Sequence, residues 1–355
     1  MTTPVLPSRR LGQTELRVSE IGYGAAALGN LYQRMTDAAA CAAVDAALAS
    51  GIRYFDTAPY YGFGLSERRV GDALRDEKRE AFVLSTKVGR LLASAPSVSG
   101  AQERHGFHSP MPFEPVYDYS YRGIMRSFED SLQRLGLARI DVLLIHDIGE
   151  ATHGAANRES FAVCMGGGYK ALDELRTKGL IGAIGLGVNE WQVCEAAMEL
   201  GRFDCFLLAG RYTLLEQGAL DRFMPKCAHH GATLIIGGAY NSGILATGTR
   251  GGGELYYDYA PAAAHIVDRV KRIEAICDTH GVTLAAAALQ FPLAHPLVSS
   301  VIPGLDSAQR VVQTLALYRE PVPDAFWRDL KKQGLVRDDA PVPPHSEIET
   351  RGQVS

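Results

Sequence analysis

The sequence predicts an α/β fold: a (β/α)8 TIM barrel with an N-terminal hairpin and long loops at its C-terminal mouth. Three observations predict it. Short apolar runs rich in Val, Ile and Leu recur eight times, helical segments separate them, and no linker splits the 355 residues. Strands that alternate with helices run parallel, in a closed barrel or an open doubly wound sheet, and eight is the barrel's number.

The opening stretch RRLGQTELRVSEIG reads as a short hairpin around Gly12 and Gln13 before the first barrel strand. Eight strand candidates follow: 20–24, then runs from Ile52, Phe82, Ile140, Leu180, Asp204, Thr233 and Ser299. Most are apolar continuously rather than alternately, the pattern of strands covered on both faces. Between them, 36–50 opens with Thr-Asp and stops at Gly51, and 121–135 carries Ile124, Phe128, Leu132 and Leu135 before Gly136. The segments 169–178, 266–280 and 311–317 also have helical spacing. Two stretches break the rhythm: 88–119, with four prolines, and 147–168, with three consecutive glycines. Both read as long loops, and loops after barrel strands surround the mouth. The chain is expected to form a single domain, 1–355, with the barrel at about 18–320 and an extension at about 321–355. Its tail from Asp338, rich in proline and charge, is expected to be peripheral.

Lys plus Arg number 36 against 40 Asp plus Glu, so no basic excess supports nucleic-acid binding. The six cysteines form no CxxC pair and no metal-ligand spacing, which suggests reduced thiols in a reducing compartment. The opening residues lack the apolar core of a signal peptide, and no run of about 18 apolar residues exists. A cytoplasmic protein without membrane or metal partners, monomer or homodimer, is expected.

Gly22-Tyr-Gly24-Ala-Ala-Ala27 satisfies the G-x-G-x-x-A pattern of a dinucleotide loop directly after a strand. A helix should open in that turn, yet helical spacing begins only near Thr36. These glycines are read instead as close packing at a strand end.

Chemistry concentrates elsewhere. Asp56 ends the second strand run, Tyr61 follows five residues later, Lys87 ends the third run and His146 ends the fourth. Each alone has an ordinary explanation: a cap, a solvated terminus, a satisfied core histidine. Together, at the same ends of adjacent barrel strands, they converge on one cavity, where unpaired charge would be costly. Free tyrosine titrates near pH 10, too high for proton exchange at neutrality. A neighbouring Lys87 ammonium, held by Asp56, should lower that value, while His146 donates to the substrate oxygen. None of these side chains accepts hydride, so a nicotinamide cofactor is implied.

These residues resemble the aldo-keto reductase superfamily from about Arg10 to Leu330. The DTAPYYG run, followed by Ser66-Glu67, the STK run and the LLIHD run carry the likeness. The resemblance implies an extended dinucleotide without a Rossmann domain, and a tetrad at Asp56, Tyr61, Lys87 and His146. The stretches YDYSYRGIMRSFEDSLQRLGL, GLGVNEW and GGAYNSGIL are similar to the D-threo-aldose 1-dehydrogenase branch, with its L-fucose and pyridoxal dehydrogenases. That branch implies oxidation of a cyclic hemiacetal to a lactone.

Carried over by the same resemblance, Asn189 binds the nicotinamide carboxamide, although Val188 and Ala209 replace the usual Ser and Gln. Tyr240 or Gly237 stands where an aromatic shelf belongs, with Gly243 and Leu245 in the segment that follows. Gly304, Asp306 and Arg310 fall on the pyrophosphate and adenosine segment. Basic residues for a 2′-phosphate are missing there, and Asp306 would repel one, so NAD is expected over NADP. Asp306 as a cap of the helix at 311–317 is a parallel expectation. Substrate contacts are expected from Tyr32, Phe107 and Trp191, with His108 and 117–121 nearby. An NADPH-dependent aldehyde reductase and a cofactor-sensing regulatory subunit are the competing readings.

Overall fold

The computed structural model describes residues 6–98 and 102–344. Eight parallel strands form one sheet: Tyr23–Gly24, Tyr54–Asp56, Val83–Val88, Val142–His146, Ala183–Val188, Cys205–Ala209, Thr233–Gly237 and Val298–Ile302. Each pairs with its sequence neighbours. Parallel bridges Ile21 to Val301 and Gly24 to Gly304 join the first strand to the eighth and close the barrel.

Continuous apolar strands follow from this closure. Val142 and Leu144 face the barrel interior with Leu207, Ile235 and Ile302, while Leu143 and Ile145 join the shell beneath the helices. Successive side chains point to opposite faces, so both faces must be apolar. The hairpin, Ser8–Arg10 paired with Arg17–Ser19, plugs the N-terminal end of the barrel with Leu11 and Val18.

The helices keep their expected signals. Asp37–Ala49 starts where the Thr36 side chain accepts from the Ala39 N–H at 3.1 Å. Tyr121–Leu135 is capped by Ser120 and stopped by Gly136 at φ 63°. Ala308–Arg319 is capped by Ser307, whose hydroxyl accepts from the Arg310 N–H at 3.2 Å, so Asp306 is not its cap. The glycines after the first strand do serve packing: a Cβ on Gly22 would lie 2.7 Å from Ile302 Cγ2, and one on Gly24 2.9 Å from Pro303 O.

Both expected loops are structured. Within 88–119, Arg90–Ser94 pairs antiparallel with Phe113–Tyr117, and Glu103–Arg104 with Phe107–His108. Strands of two to five residues are too short to show a period. The segment 147–168 is largely helical, with Glu150–His153, Asn157–Val163 and a π-turn at Cys164–Gly168 that runs into Tyr169–Thr177. Its glycine run reads as a breaker, but a Cβ on Gly168 would stand 2.4 Å from Tyr119 O, so glycine permits close packing there.

The C-terminal extension also packs. Helix Asp324–Lys332 buries Phe326, Trp327 and Leu330, and the chain after it buries Leu335, Val336 and Ala340. As far as residue 344 the tail is therefore not peripheral; 345–355 lie outside the described residues. No described helix is long and apolar enough to cross a membrane.

Candidate active site

Strand register builds the site. Asp56 pairs with Ser85, and Lys87 with Leu144, so every second residue of three adjacent strands points inward: Tyr54 and Asp56, Ser85 and Lys87, Leu144 and His146. Toward the C-terminal end these inward positions change from apolar to ionisable. Tyr61 comes from the turn after Asp56 and completes the group.

The polar atoms are linked. Lys87 Nζ donates to Asp56 Oδ2 at 2.7 Å and to the Thr57 carbonyl at 3.0 Å. Ser85 Oγ donates to Asp56 Oδ1 at 2.6 Å, leaving its own oxygen to accept from the Tyr54 hydroxyl at 2.9 Å. Both Lys87 and Asp56 are 2% exposed, so this is a buried ion pair whose remaining donors and acceptors are satisfied. Burial lowers the Lys87 pKa, but Asp56 and Tyr61 more than offset it, and the amine is protonated.

Tyr61 differs from the sequence expectation. Lys87 Nζ sits 4.7 Å from its ring centroid, and the ammonium's charge and hydrogen bond pull the phenol down. Burial is the larger effect, and the net shift is upward. Asp56 already neutralises the ammonium, so the desolvated phenol faces a nearly neutral pair. Tyr61 is thus a proton donor at neutral pH, not a ready-made phenolate. His146 is neutral as well: burial, then the charges of Arg90 and Lys87, hold it well below the usual histidine value. Its ring stands perpendicular to Tyr61 at 6.1 Å between centroids, and its Nδ1 has no hydrogen-bond partner among the described residues.

Tyr61, Lys87 and His146 open onto a cavity of about 440 Å³ over the barrel mouth. Asn189, Val188 and Ala209 line the same cavity, whereas Gly237 stands behind that lining, where a Cβ would meet Leu207 Cδ2 at 3.4 Å and Ala209 at 3.8 Å. Tyr32 is on its rim, 67% exposed, and Phe107 is inside, 2% exposed. Trp191, Leu245 and Tyr240 also lie outside the lining of this cavity. Trp191 stacks on Phe223 at 6.2 Å and does not line the cavity. Leu245 is fully buried and its N–H is bonded to Tyr240 O, because the short helix after the seventh strand turns it into the core. Tyr240 lines a second cavity of about 690 Å³ with Gly304 and Arg310, and is not among the residues lining the first.

The first cavity is lined from the ends of the first to sixth strands, with Tyr259 added, and the second by segments that follow the seventh and eighth. A Cβ at Gly243 or Gly304 would meet nothing within 4 Å, so the backbone there is open to a ligand. The residues fit an extended dinucleotide, with Asn189 at one end and Tyr240, Gly304 and Arg310 at the other. Asp306 lies at that far end, accepting from Gln33 Nε2 at 3.0 Å and facing Arg310 at 3.8 Å.

Sequence reasoning missed four site residues. Tyr60 and Asp147 line the first cavity, and Arg90 pairs with Asp147. Tyr259 closes the cavity from above: its hydroxyl donates to Asn189 Oδ1 at 3.4 Å, and it tops a hairpin of Tyr256–Tyr257 and Ala260–Pro261. No local turn signal marks Tyr259, because Asp258 and Tyr259 both take left-handed backbone, φ 51° and 63°, without a glycine. Arg90 and Asp147 did carry a signal, as charged residues directly beyond two strand ends.

A barrel that gathers a phenol, an ammonium, a carboxylate and an imidazole at one end of adjacent strands is the framework of an oxidoreductase that moves a proton with a hydride. The profile of the Aldo/keto reductase family matches residues 20–334, and the chain belongs to that family. It is 47% identical to pyridoxal 4-dehydrogenase of Microbacterium luteolum over 92% of this chain and 97% of that protein. It is 38% identical to D-threo-aldose 1-dehydrogenase of a Pseudomonas species, covering 90% and 95% respectively. Among solved structures, a holo-form aldo-keto reductase from Bacillus halodurans superposes with a TM-score of 0.71 at 26% identity, covering 95% of this chain and 98% of that one.

Proposed function

We propose that this enzyme oxidises a cyclic hemiacetal to its lactone with NAD, the substrate being an aldose such as L-fucose reacting at C1. The observation that carries the reading is the buried Lys87–Asp56 pair, 2.7 Å long, set against the Tyr61 ring on the floor of the cavity. A bound oxidised nicotinamide supplies the hydride acceptor. The chain's own residues handle the proton: Tyr61 Oη takes it from the anomeric hydroxyl, His146 holds the same oxygen by a hydrogen bond, and Lys87 stabilises the phenolate on the way. Asn189 orients the carboxamide, since its oxygen is engaged by Tyr259 and its amide nitrogen is left to donate. A second substrate, the internal hemiacetal of pyridoxal, is favoured by the 47% identity and by the rings of Tyr32, Tyr60, Phe107 and Tyr259 on the cavity wall.

A panel of L-fucose, D-arabinose, L-galactose and pyridoxal, each with NAD and NADP, tests this reading. Turnover of at least one with NAD, and a kcat/KM at least about tenfold lower with NADP, is expected from the Asp306 carboxylate at the ribose end. Turnover of simple aldehydes alone, with NADPH preferred, establishes the reductase instead.

The raised pKa of Tyr61 sets a pH dependence. Oxidation needs the phenol without its proton, and below the pKa that fraction grows about tenfold per pH unit. The kcat/KM for oxidation should therefore climb steadily from pH 7 to 9, whereas reduction, which uses the neutral phenol, should stay flat. A neutral-pH plateau in oxidation contradicts a phenol that burial has made less acidic.

A further inference from the structure

Asp147 has no part in the chemistry described so far, yet it is held as firmly as the tetrad. It follows His146 at the fourth strand's end with a left-handed backbone, φ 47°, which is uncommon without glycine and turns its side chain toward the cavity. Its N–H donates to Gly187 O at 3.0 Å. The Tyr119 hydroxyl donates to His146 O at 2.7 Å and lies 3.3 Å from Asp147 O. On the side chain, Arg90 Nη2 donates to Oδ2. Arg90 is itself fixed: 5% exposed, with its guanidinium 4.1 Å above the Tyr60 ring and 5.1 Å from Tyr117.

The second carboxylate oxygen is uncommitted. No donor among the described residues is bonded to Oδ1, and the side chain keeps 14% of its surface, on the wall it shares with Tyr60, Lys87 and His146. Oδ2 is 3.6 Å from His146 Nε2, too long for a hydrogen bond but close enough to place the carboxylate one group away from the imidazole. A carboxylate accepts only, so the group it meets must be a donor. With the reacting oxygen on His146, the next donor along a substrate is a hydroxyl on the neighbouring carbon.

We propose that Asp147 is a specificity residue that accepts a hydrogen bond from the hydroxyl adjacent to the reacting carbon, with Arg90 as its positioning residue. The enzyme then selects α-hydroxy aldehydes and their hemiacetals over the deoxy counterparts, which favours the aldose over pyridoxal, whose reacting carbon has no hydroxyl-bearing neighbour. This deepens the dehydrogenase reading and rests on the same site. A site built to bond a hydroxyl rejects the analogue that lacks it, because its own polar group is left unpaired.

The test compares matched pairs that differ only in that hydroxyl: L-fucose against 2-deoxy-L-fucose in oxidation, and lactaldehyde against propanal in reduction with NADH or NADPH. Wild-type enzyme should favour the hydroxylated member by about a hundredfold in kcat/KM. Asp147→Ala should bring that ratio to within about threefold of unity, chiefly through a higher KM for the hydroxylated member. Asp147→Asn, whose amide oxygen still accepts, should restore part of it. An Arg90–Asp147 pair that only straps the fold leaves the ratio unchanged in every variant that folds. That result overturns the proposal, as does a wild type that treats both members alike, which needs no variant. The reduction pair keeps the two readings separable: discrimination there with no sugar or pyridoxal oxidised retains Asp147 and discards the hemiacetal substrate. Turnover of neither pair with either cofactor overturns the Asp147 proposal, and the dehydrogenase reading with it when pyridoxal is not oxidised either.

Discussion

Tyr61→Phe is expected to lower kcat by about three orders of magnitude, within the range that general acid–base groups contribute, while dinucleotide affinity stays near wild type. The substitution removes one oxygen and nothing else that holds the site. The ring keeps its perpendicular contact with His146 at 6.1 Å and its neighbour Phe107 at 6.5 Å. The Lys87–Asp56 pair remains closed by bonds to Thr57 and Ser85 that do not involve the phenol. The residues proposed to hold the dinucleotide, Asn189, Tyr240, Gly304 and Arg310, follow the fifth, seventh and eighth strands, whereas Tyr61 follows the second. Single-turnover kinetics and fluorescence titration of the dinucleotide separate the two effects. Unchanged turnover removes Tyr61 from proton transfer. A large loss of dinucleotide affinity would instead make the phenol a structural anchor. The wild type also decides against a regulatory subunit, which would bind dinucleotide without turning substrate over.

The tetrad was legible in the sequence because barrel geometry turns sequence position into spatial position. A polar residue at the end of an apolar strand run has one place to go, and three such residues on adjacent strands meet. Residues placed by loops were less legible. Trp191 and Phe107 both follow barrel strands and look alike in sequence, yet Trp191 turns onto Phe223 while a two-residue hairpin strand carries Phe107 inward. Tyr259 is set over the cavity by the bond between Arg211 and Asp258 and by its own N–H donating to Ser242. Those partners lie 47 and 17 residues away, beyond any local pattern. The direction of the Tyr61 shift was hidden for another reason. Residue types name the charges around a phenol, but the balance between burial and attraction depends on how much water each has lost. The Asp56 that orients Lys87 also opposes the field that Tyr61 would otherwise feel.

Burial also makes the Lys87–Asp56 pair a vulnerable point of the fold. Lys87→Met keeps the chain length but leaves Asp56, 2% exposed, with Ser85 as its remaining side-chain partner. Removing one member of a buried ion pair costs about 3–5 kcal/mol, because the other charge stays desolvated or must take up a proton. A fall of that size in unfolding free energy, read from denaturant midpoints, is expected together with loss of turnover. Adding Asp56→Asn should restore most of the stability, since an amide needs no counter-charge and still accepts from Ser85, but none of the turnover. The cycle separates two roles that the single variant confounds. Recovered stability without recovered activity assigns the ammonium to the phenol's chemistry. If Lys87→Met alone leaves the midpoint unchanged, Asp56 accepts a proton at little cost and the pair does not clamp the barrel mouth.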